Sequence, residues 1–295
     1  FIIPLLFAAI IGVLTAYNVK YGVGAAGAVC GAGVLLLCIV SAEVGLYLSL
    51  AYAFFISYID RLLFAGEFTE GVGSDLLIVA TFIGLIVRRV NLKQDFNEFI
   101  IYIYTIFQVF NPYALTLNGW YPAFRKLVGN FLLIIIAYNA FNNIGTIKRF
   151  LKVLFIICVI VGIYACIQEW HDFFDFEMDW LQAEHQRFIM TYVNGGARRM
   201  STLQGALELG IIMSVCAAFY TGMGVLHTKY TYKIILAIGV IFMLMGMSFA
   251  LTRTSNVMYI GGVFLFLLIT FNKPISRFAT IAGAVLFFTI LFGPF

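Results

Sequence analysis

Long apolar runs separated by short polar stretches form the pattern of this chain. A helix that crosses the hydrocarbon of a bilayer needs about 20 mostly apolar residues, and the runs approach that length without the regular alternation of barrel strands. The pattern therefore predicts an all-α polytopic membrane protein in which residues 1–295 form a single transmembrane domain. The predicted spans are residues 1–17, 21–40, 45–62, 76–87, 99–115, 127–141, 153–167, 203–220, 234–251, 255–271 and 278–292.

The composition agrees with a membrane protein. Hydrophobic residues make up 63% of the 295 residues, charged residues make up 11%, and the mean hydropathy is +1.01, whereas roughly a quarter of the residues of soluble proteins are charged. All five cysteines fall inside apolar runs, so they indicate packing and not a disulfide framework or a metal site. The chain begins at Phe1 without a methionine and stops at Phe295 directly after an apolar run, so we expect it to be truncated at the C-terminus.

The short basic loops predict an orientation. Residues 88–93, 148–152, 229–233 and 273–277 fall on one side of the spans, and the positive-inside rule makes that side cytoplasmic. The outer face then holds the polar loop 171–200, where acidic residues interleaved with Phe and Trp favour a helix that lies in the membrane interface. Five arginines also fall on this face: Arg125, Arg187, Arg198, Arg199 and Arg253.

An anion site is predicted where loop 171–200 enters the eighth span. Ser201 followed by Gln204 resembles a capping box, which would start a helix at this point. Arg198 and Arg199 would then lie beside the free N–H groups of a helix N-terminus, and both features attract phosphate. The alternative is a pair of interfacial arginines that extend to lipid headgroups and have no further role.

Arg253 opens the tenth span, with Thr252 or Thr254 as the candidate N-cap. Two helix N-termini that each carry an arginine would form a cradle for a diphosphate. Here too, the alternative is an arginine that only reaches the headgroups.

Glu208 is predicted about two turns inside the eighth span, where an ionisable group is a functional candidate. We expect it to organise the site and not to act as a base; a structural ion pair or an acid stabilised by the helix dipole are the alternatives.

The acids Asp172, Asp175, Glu177 and Asp179 have no metal-site spacing, and His171 and His185 are weak candidates for a general base. The sequence predicts no metal, no cofactor and no nucleic-acid partner, and apart from Glu208 the interiors of the spans lack charges.

Three segments resemble the O-antigen ligase and polysaccharide polymerase family of bacterial membrane glycosyltransferases. They are Arg198-Arg199-Met200-Ser201-Thr202 before one span, Ala250-Leu251-Thr252-Arg253-Thr254-Ser255 before a later one, and Asn111-Pro112-Tyr113 followed by Arg125. The resemblance implies about eleven spans, a multi-span (GT-C type) architecture and a metal-independent, inverting transfer. The donor would be a glycan on undecaprenyl diphosphate, and the acceptor lipid A core or a growing polysaccharide, at the periplasmic face of the bacterial inner membrane.

The resemblance also implies residue roles. Arg253 matches the signature arginine of the late helix, and Arg199 or Arg198 matches the arginine ahead of the earlier one. Arg199 and Arg253 would be the catalytic residues, which hold the diphosphate and stabilise the charge that develops on it as the leaving group, and Arg198 would bind the diphosphate. Arg187, Arg125, Ser201 and Glu208 are the further candidates for substrate binding. The general base of the family is a histidine in an outer loop beyond the eleventh span, so it stays unassigned here.

Two other classes of function remain open. A flippase or transporter of lipid-linked glycans would need charged groups along a cavity through both leaflets. A non-catalytic subunit of an envelope complex would use the outer arginines to bind an acidic partner surface.

Overall fold

The computed structural model describes residues 19–64, 70–88, 117–193 and 196–270, and these residues are mostly helical. The helices that precede the long polar loop are α1 (Val19–Val40), α2 (Ala42–Leu63), α3 (Glu70–Val87), α4 (Leu117–Ala140) and α5 (Ile144–His171). The loop contains α6 (Asp175–Gln182), α7 (His185–Thr191) and two short antiparallel strands, β1 (Tyr192–Val193) and β2 (Gly196–Ala197). The helices α8 (Ala206–Leu226), α9 (Tyr230–Phe249) and α10 (Arg253–Thr270) follow.

Several helices are long and apolar enough to cross a membrane. Within the described residues five meet this criterion by length and composition, namely α2, α5, α8, α9 and α10. The chain is therefore an all-α membrane protein. The first, fifth and eleventh predicted spans lie outside the described residues, so the count of eleven stays a prediction, as does the motif at residues 111–113.

Several predicted helix boundaries were wrong. Residues 117–126, expected to include a short polar loop, belong to α4, because polar residues near a membrane surface are compatible with a helical backbone. In the same way, α5 extends beyond the predicted span at both ends. The eighth span begins at Ala206 and not at residue 203, since an irregular turn occupies residues 201–205.

The chain divides into two compact units. Unit 1 comprises Phe1–Leu50 and Gly71–Arg149, and its described core joins Ala42 and Leu46 of α2 to Ile78 and Leu85 of α3 and Ile136 of α4. In this unit Gly84 of α3 lies against the backbone of Ile39, so α1 and α3 approach closely. Such close approach through small residues is typical of helices packed in membranes.

Unit 2 comprises Ala51–Glu70 and Phe150–Phe295. Here α8 packs along both α9 and α10. A glycine permits the closest approach near the start of α8: a Cβ on Gly210 would collide with the hydroxyls of Thr252 and Ser255 at the start of α10. The N-terminal ends of α8 and α10 therefore lie side by side, as the sequence predicted.

Replacement of Gly210 by alanine should lower the free energy of unfolding by about 1–3 kcal/mol, because an added methyl overpacks the contact between α8 and α10. Gly224→Ala is the matched control on the same helix, since its Cβ would lie 3.7 Å from Cβ of Leu236, an ordinary contact. Thermal unfolding in detergent measures both variants. Equal unfolding temperatures for the two variants would contradict the close packing at Gly210.

Candidate functional site

The residues that lead into α8 form an irregular turn that is deeply buried in unit 2. Ser201 has a φ of 54°, in the left-handed region, and its side chain is fully buried. Its hydroxyl donates to the carbonyl of Val161 at 2.7 Å. Val161 lies ten residues before His171, the last residue of α5, which is ~15 Å along a helix axis. The turn therefore enters between the helices and does not remain at their ends.

The prediction that Ser201 caps a helix was wrong. The N-cap of α8 is Gly205, in an extended conformation with φ −151° and ψ 161°. Ser201 is instead held in the turn through its backbone N–H, which donates to Oε1 of Gln168 at 2.7 Å, and through its hydroxyl bond to α5. The capping-box spacing was present, but the tertiary hydrogen bonds of Ser201 determine the local conformation.

Arg61, in the last turn of α2, donates further hydrogen bonds to this turn. Its Nη2 donates to the carbonyl of Ser201 at 2.6 Å and to the carbonyl of Leu203 at 3.2 Å. Its Nε donates to the carbonyl of Ser57 within α2. One guanidinium therefore satisfies backbone acceptors of two buried residues, Ser201 and Leu203, which bulk solvent does not reach.

Glu177 of α6 balances the charge of Arg61. Nη1 of Arg61 lies 3.6 Å from Oε1 of Glu177, and the two side chains are 1% and 0% exposed. The same carboxylate oxygen accepts hydrogen bonds from the hydroxyl of Tyr164 at 3.1 Å and from Nε2 of Gln168 at 2.7 Å. Because Gln168 also binds Ser201, this buried network joins α2, α5, α6 and the turn before α8.

Sequence reasoning missed Arg61 and Glu177. The expectation that the span interiors lack charges apart from Glu208 was wrong, because Asp60 and Arg61 are both buried in α2. A charged residue within an apolar span is itself a signal of a buried partner, and Arg61 could have been found in this way. Glu177 could not have been found from the sequence, since nothing in the sequence distinguishes it from the other acids of the loop.

Arg199 is engaged by carboxylates near the end of α5. Its Nε donates to Glu169 at 2.8 Å and its Nη2 donates to Asp172 at 2.7 Å, with the side chain 8% exposed. Burial by itself lowers the pKa of Arg199, but the hydrogen bonds to both carboxylates outweigh burial and raise the pKa above its usual value. The guanidinium therefore stays charged, and these contacts attach the segment before α8 to α5.

Arg198, the neighbouring residue, lines a cleft of about 540 Å³ in unit 2. The polar side chains of the cleft come from Arg187, Thr191, Arg198, Gln204 and Glu208, beside the indole of Trp180. Nε of Arg198 is buried and has no hydrogen-bond partner among the described residues. A buried charged donor without an acceptor is costly, so an anionic group is the chemistry that this part of the cleft would take.

Arg187 is held at the cleft by two neighbours. Its Nε lies 2.7 Å from Oε2 of Glu184, and its guanidinium carbon lies 4.6 Å from the centre of the Trp180 ring. The same ring lies 5.6 Å from the guanidinium carbon of Arg61. Trp180 therefore connects the wall of the cleft to the buried network.

Glu208 lies in the first turn of α8 and not two turns inside the span, because the helix begins at Ala206. It is exposed and lines the cleft. In the part of the chain that the structure describes, it forms no ion pair. The position agrees with an acid stabilised by the helix dipole, whereas no described residue supports a structural ion pair.

Arg253 is the first residue of α10, as the sequence predicted, with Thr252 in the N-cap position. Its side chain is exposed and is absent from the described lining of the Arg198 cleft. The start of α10 nevertheless packs against the first turns of α8 through Gly210. The starts of α8 and α10 therefore lie together. Arg198 lines the cleft, whereas Arg253 is exposed outside its described lining.

Arg125 belongs to unit 1, where its guanidinium forms an ion pair with Asp75 of α3 and covers Gly71. The structure therefore gives Arg125 a partner within its own unit. Its predicted role in substrate binding stays a prediction.

The acidic residues and histidines of the loop are largely engaged in protein contacts. Asp172 pairs with Arg199 and Glu177 pairs with Arg61, while His171 stacks on Phe174 at 4.9 Å. The described residues include no cluster of three or more His, Cys, Asp or Glu side chains that could hold a metal ion. Aromatic side chains at the start of α6 contact protein: Phe176 lies against Tyr58, and Phe174, the N-cap residue of α6, lies against Tyr164.

Comparison of the chain with protein-family models, with curated proteins and with solved structures gives no match.

Replacement of Glu177 by glutamine should destabilise the protein by about 3–5 kcal/mol, because it removes the carboxylate charge that pairs with the buried guanidinium of Arg61. Asp179→Asn is the matched control, since Asp179 is an exposed acid on the same helix. Thermal unfolding in detergent compares them with the unmodified protein. If Glu177→Gln unfolds at the same temperature as Asp179→Asn, the buried pair does not hold the loop in place.

Proposed function

We propose that this chain is a membrane glycosyltransferase of the O-antigen ligase and polymerase type, with about eleven spans and a GT-C architecture. It takes a glycan from undecaprenyl diphosphate at the periplasmic face of the bacterial inner membrane. It joins that glycan, with inversion and without a metal, to lipid A core or to a growing polysaccharide. The proposal combines the sequence resemblance with the geometry of the Arg198 cleft.

The observation that carries the proposal is the state of Arg198. Its Nε is buried in the wall of the cleft without an acceptor among the described residues. Phosphate oxygens suit such a donor, because guanidinium and phosphate form short, charge-assisted hydrogen bonds. Arg187 adds a second guanidinium to the same cleft. Together these groups form the proposed diphosphate site.

The adjacent starts of α8 and α10 support the same site. Each helix N-terminus presents free N–H groups and the positive end of a helix dipole, which favours an anion. Arg253, the first residue of α10, adds a further exposed positive charge at this end of unit 2. In the reaction these groups stabilise the negative charge that develops on the diphosphate as it leaves the sugar.

The geometry divides the two neighbouring arginines between different roles. Arg199 has Glu169 and Asp172 as partners, so we assign it to positioning the segment. We assign the contact with the diphosphate to Arg198, whereas the resemblance implied this contact for either Arg198 or Arg199. This choice follows from the difference in partners and from the presence of Arg198 in the cleft.

Transfer by purified protein tests the proposal. With an undecaprenyl-diphosphate glycan and an acceptor, the unmodified protein should form the glycan product and release undecaprenyl diphosphate. Arg198→Ala should lower kcat by about 10²–10³-fold, the usual cost of losing one donor to a developing anion. Arg253→Ala should lower kcat by a smaller factor, because Arg253 lies outside the described lining of the cleft.

Lys229→Ala is the control for a general loss of positive charge. Lys229 is an exposed residue that precedes α9 and follows the C-terminal end of α8, so it lies away from the cleft. It should retain the full rate. Unchanged transfer in both arginine variants, or no transfer by the unmodified protein, would overturn the proposed function.

A further inference from the structure

Trp180 is the one aromatic side chain among the described residues that line the Arg198 cleft. The guanidinium carbon of Arg187 lies 4.6 Å from the centre of its ring, and the guanidinium carbon of Arg61 lies 5.6 Å from it. Arg187 lines the cleft, whereas Arg61 belongs to the buried network. The indole is therefore shared by a cation of the cleft and a cation of the network.

The position of this ring is fixed by its packing. Trp180 packs against the small core cluster of Phe173, Leu181 and Met200, in which Leu181 is fully buried. It also lies three residues after Glu177 on α6, and the side chain of Glu177 is fully buried. Because a side chain in a close-packed core has little freedom to move, the indole offers a fixed surface to a charged neighbour.

Arg187 needs such a surface, since its side chain is long and 34% exposed. Its Nε lies 2.7 Å from Oε2 of Glu184, but the side chain of Glu184 is 51% exposed, and ion pairs in contact with solvent are weak. The indole of Trp180 supplies the other contact, from a residue that is packed in the core. Trp180 is therefore the firmer of the two supports of this guanidinium.

Contact with an aromatic face leaves the hydrogen-bonding edge of a guanidinium accessible. The attraction acts between the cation and the face of the ring, whereas the N–H groups of arginine donate in the plane of the guanidinium. A phosphate oxygen in the cleft can therefore bind the same guanidinium that the indole holds.

We propose that Trp180 is a positioning residue for the lipid diphosphate, an inference that rests on the proposed binding of that diphosphate in the cleft. Its indole holds the guanidinium of Arg187 at the cleft wall, where the N–H groups of Arg187 bind phosphate oxygens. Arg198 supplies the first guanidinium of the site and Arg187 the second. Trp180 acts through Arg187 and does not itself bind the phosphate.

The test is a double-mutant cycle on the binding of undecaprenyl diphosphate to the full chain in nanodiscs. Trp180→Leu keeps an apolar side chain but removes the aromatic face, and should weaken Kd by about 2–30-fold. Arg187→Gln removes the cation and should weaken Kd by about 10–100-fold. In the Arg187→Gln background, Trp180→Leu should weaken Kd by less than about twofold, because the cation that Trp180 positions is already gone.

Trp170→Leu is the matched control. Trp170 is 72% exposed in the last turn of α5 and does not belong to the described lining of the cleft, so its replacement should leave Kd unchanged. Trp180→Phe keeps a smaller aromatic face and should recover part of the affinity that Trp180→Leu loses. Thermal unfolding in detergent checks that each variant is folded, and Trp180→Phe replaces Trp180→Leu in the cycle if the leucine variant is unfolded.

The outcomes separate this inference from the proposed function. If Trp180→Leu leaves Kd unchanged, or weakens it by the same factor with and without the Arg187 cation, the positioning role is overturned and the diphosphate site of Arg198 stands. An unchanged Kd in Arg187→Gln would overturn the role as well, because Trp180 would have no phosphate-binding cation to position. No binding of undecaprenyl diphosphate by the unmodified protein would overturn the inference and the proposed function together.

Discussion

The guanidinium of Arg61 allows irregular backbone to enter a bundle of membrane-spanning helices. Non-helical backbone at membrane depth is tolerated only where its polar groups find partners inside the protein. Arg61 supplies donors to the carbonyls of Ser201 and Leu203, and Gln168 supplies an acceptor to the N–H of Ser201. Glu177 then balances the buried charge. A buried ion pair adds little net stability over a well-packed apolar replacement, and its effect here is to fix the arrangement of the turn that precedes α8.

The position of this turn explains how two adjacent arginines come to differ. Arg199 reaches Glu169 and Asp172 and attaches the segment to α5, whereas Arg198 lines the cleft beside Arg187 and Glu208. A change in the turn would move both guanidiniums together, because only a few residues separate them from Ser201. The proposed chemistry of the cleft therefore depends on the buried network of Arg61 and Glu177, which does not line the cleft. Trp180 connects the two, because it lines the cleft and lies against Arg61.

Sequence reasoning succeeded where the structure is local. Apolar length predicted most of the described helices, and the Thr252-Arg253 boundary correctly predicted the start of α10. It failed where long-range contacts decide the conformation. Ser201 has the sequence of a helix cap, but its conformation is determined by Gln168 and by Arg61, which lies 140 residues away in sequence. Likewise, the pairing of Glu177 with Arg61 follows from packing, since the other acids of the loop offer similar local signals.

A cryo-electron microscopy structure of the full chain in nanodiscs with undecaprenyl diphosphate tests the central claim most directly, namely that the cleft beside the Arg61 network binds a lipid diphosphate. The account predicts phosphate density within hydrogen-bond distance of Nε of Arg198, with the turn at Ser201 unchanged and the Arg61–Glu177 pair intact. Phosphate density at another part of the chain, with Arg198 still without an acceptor, would contradict it.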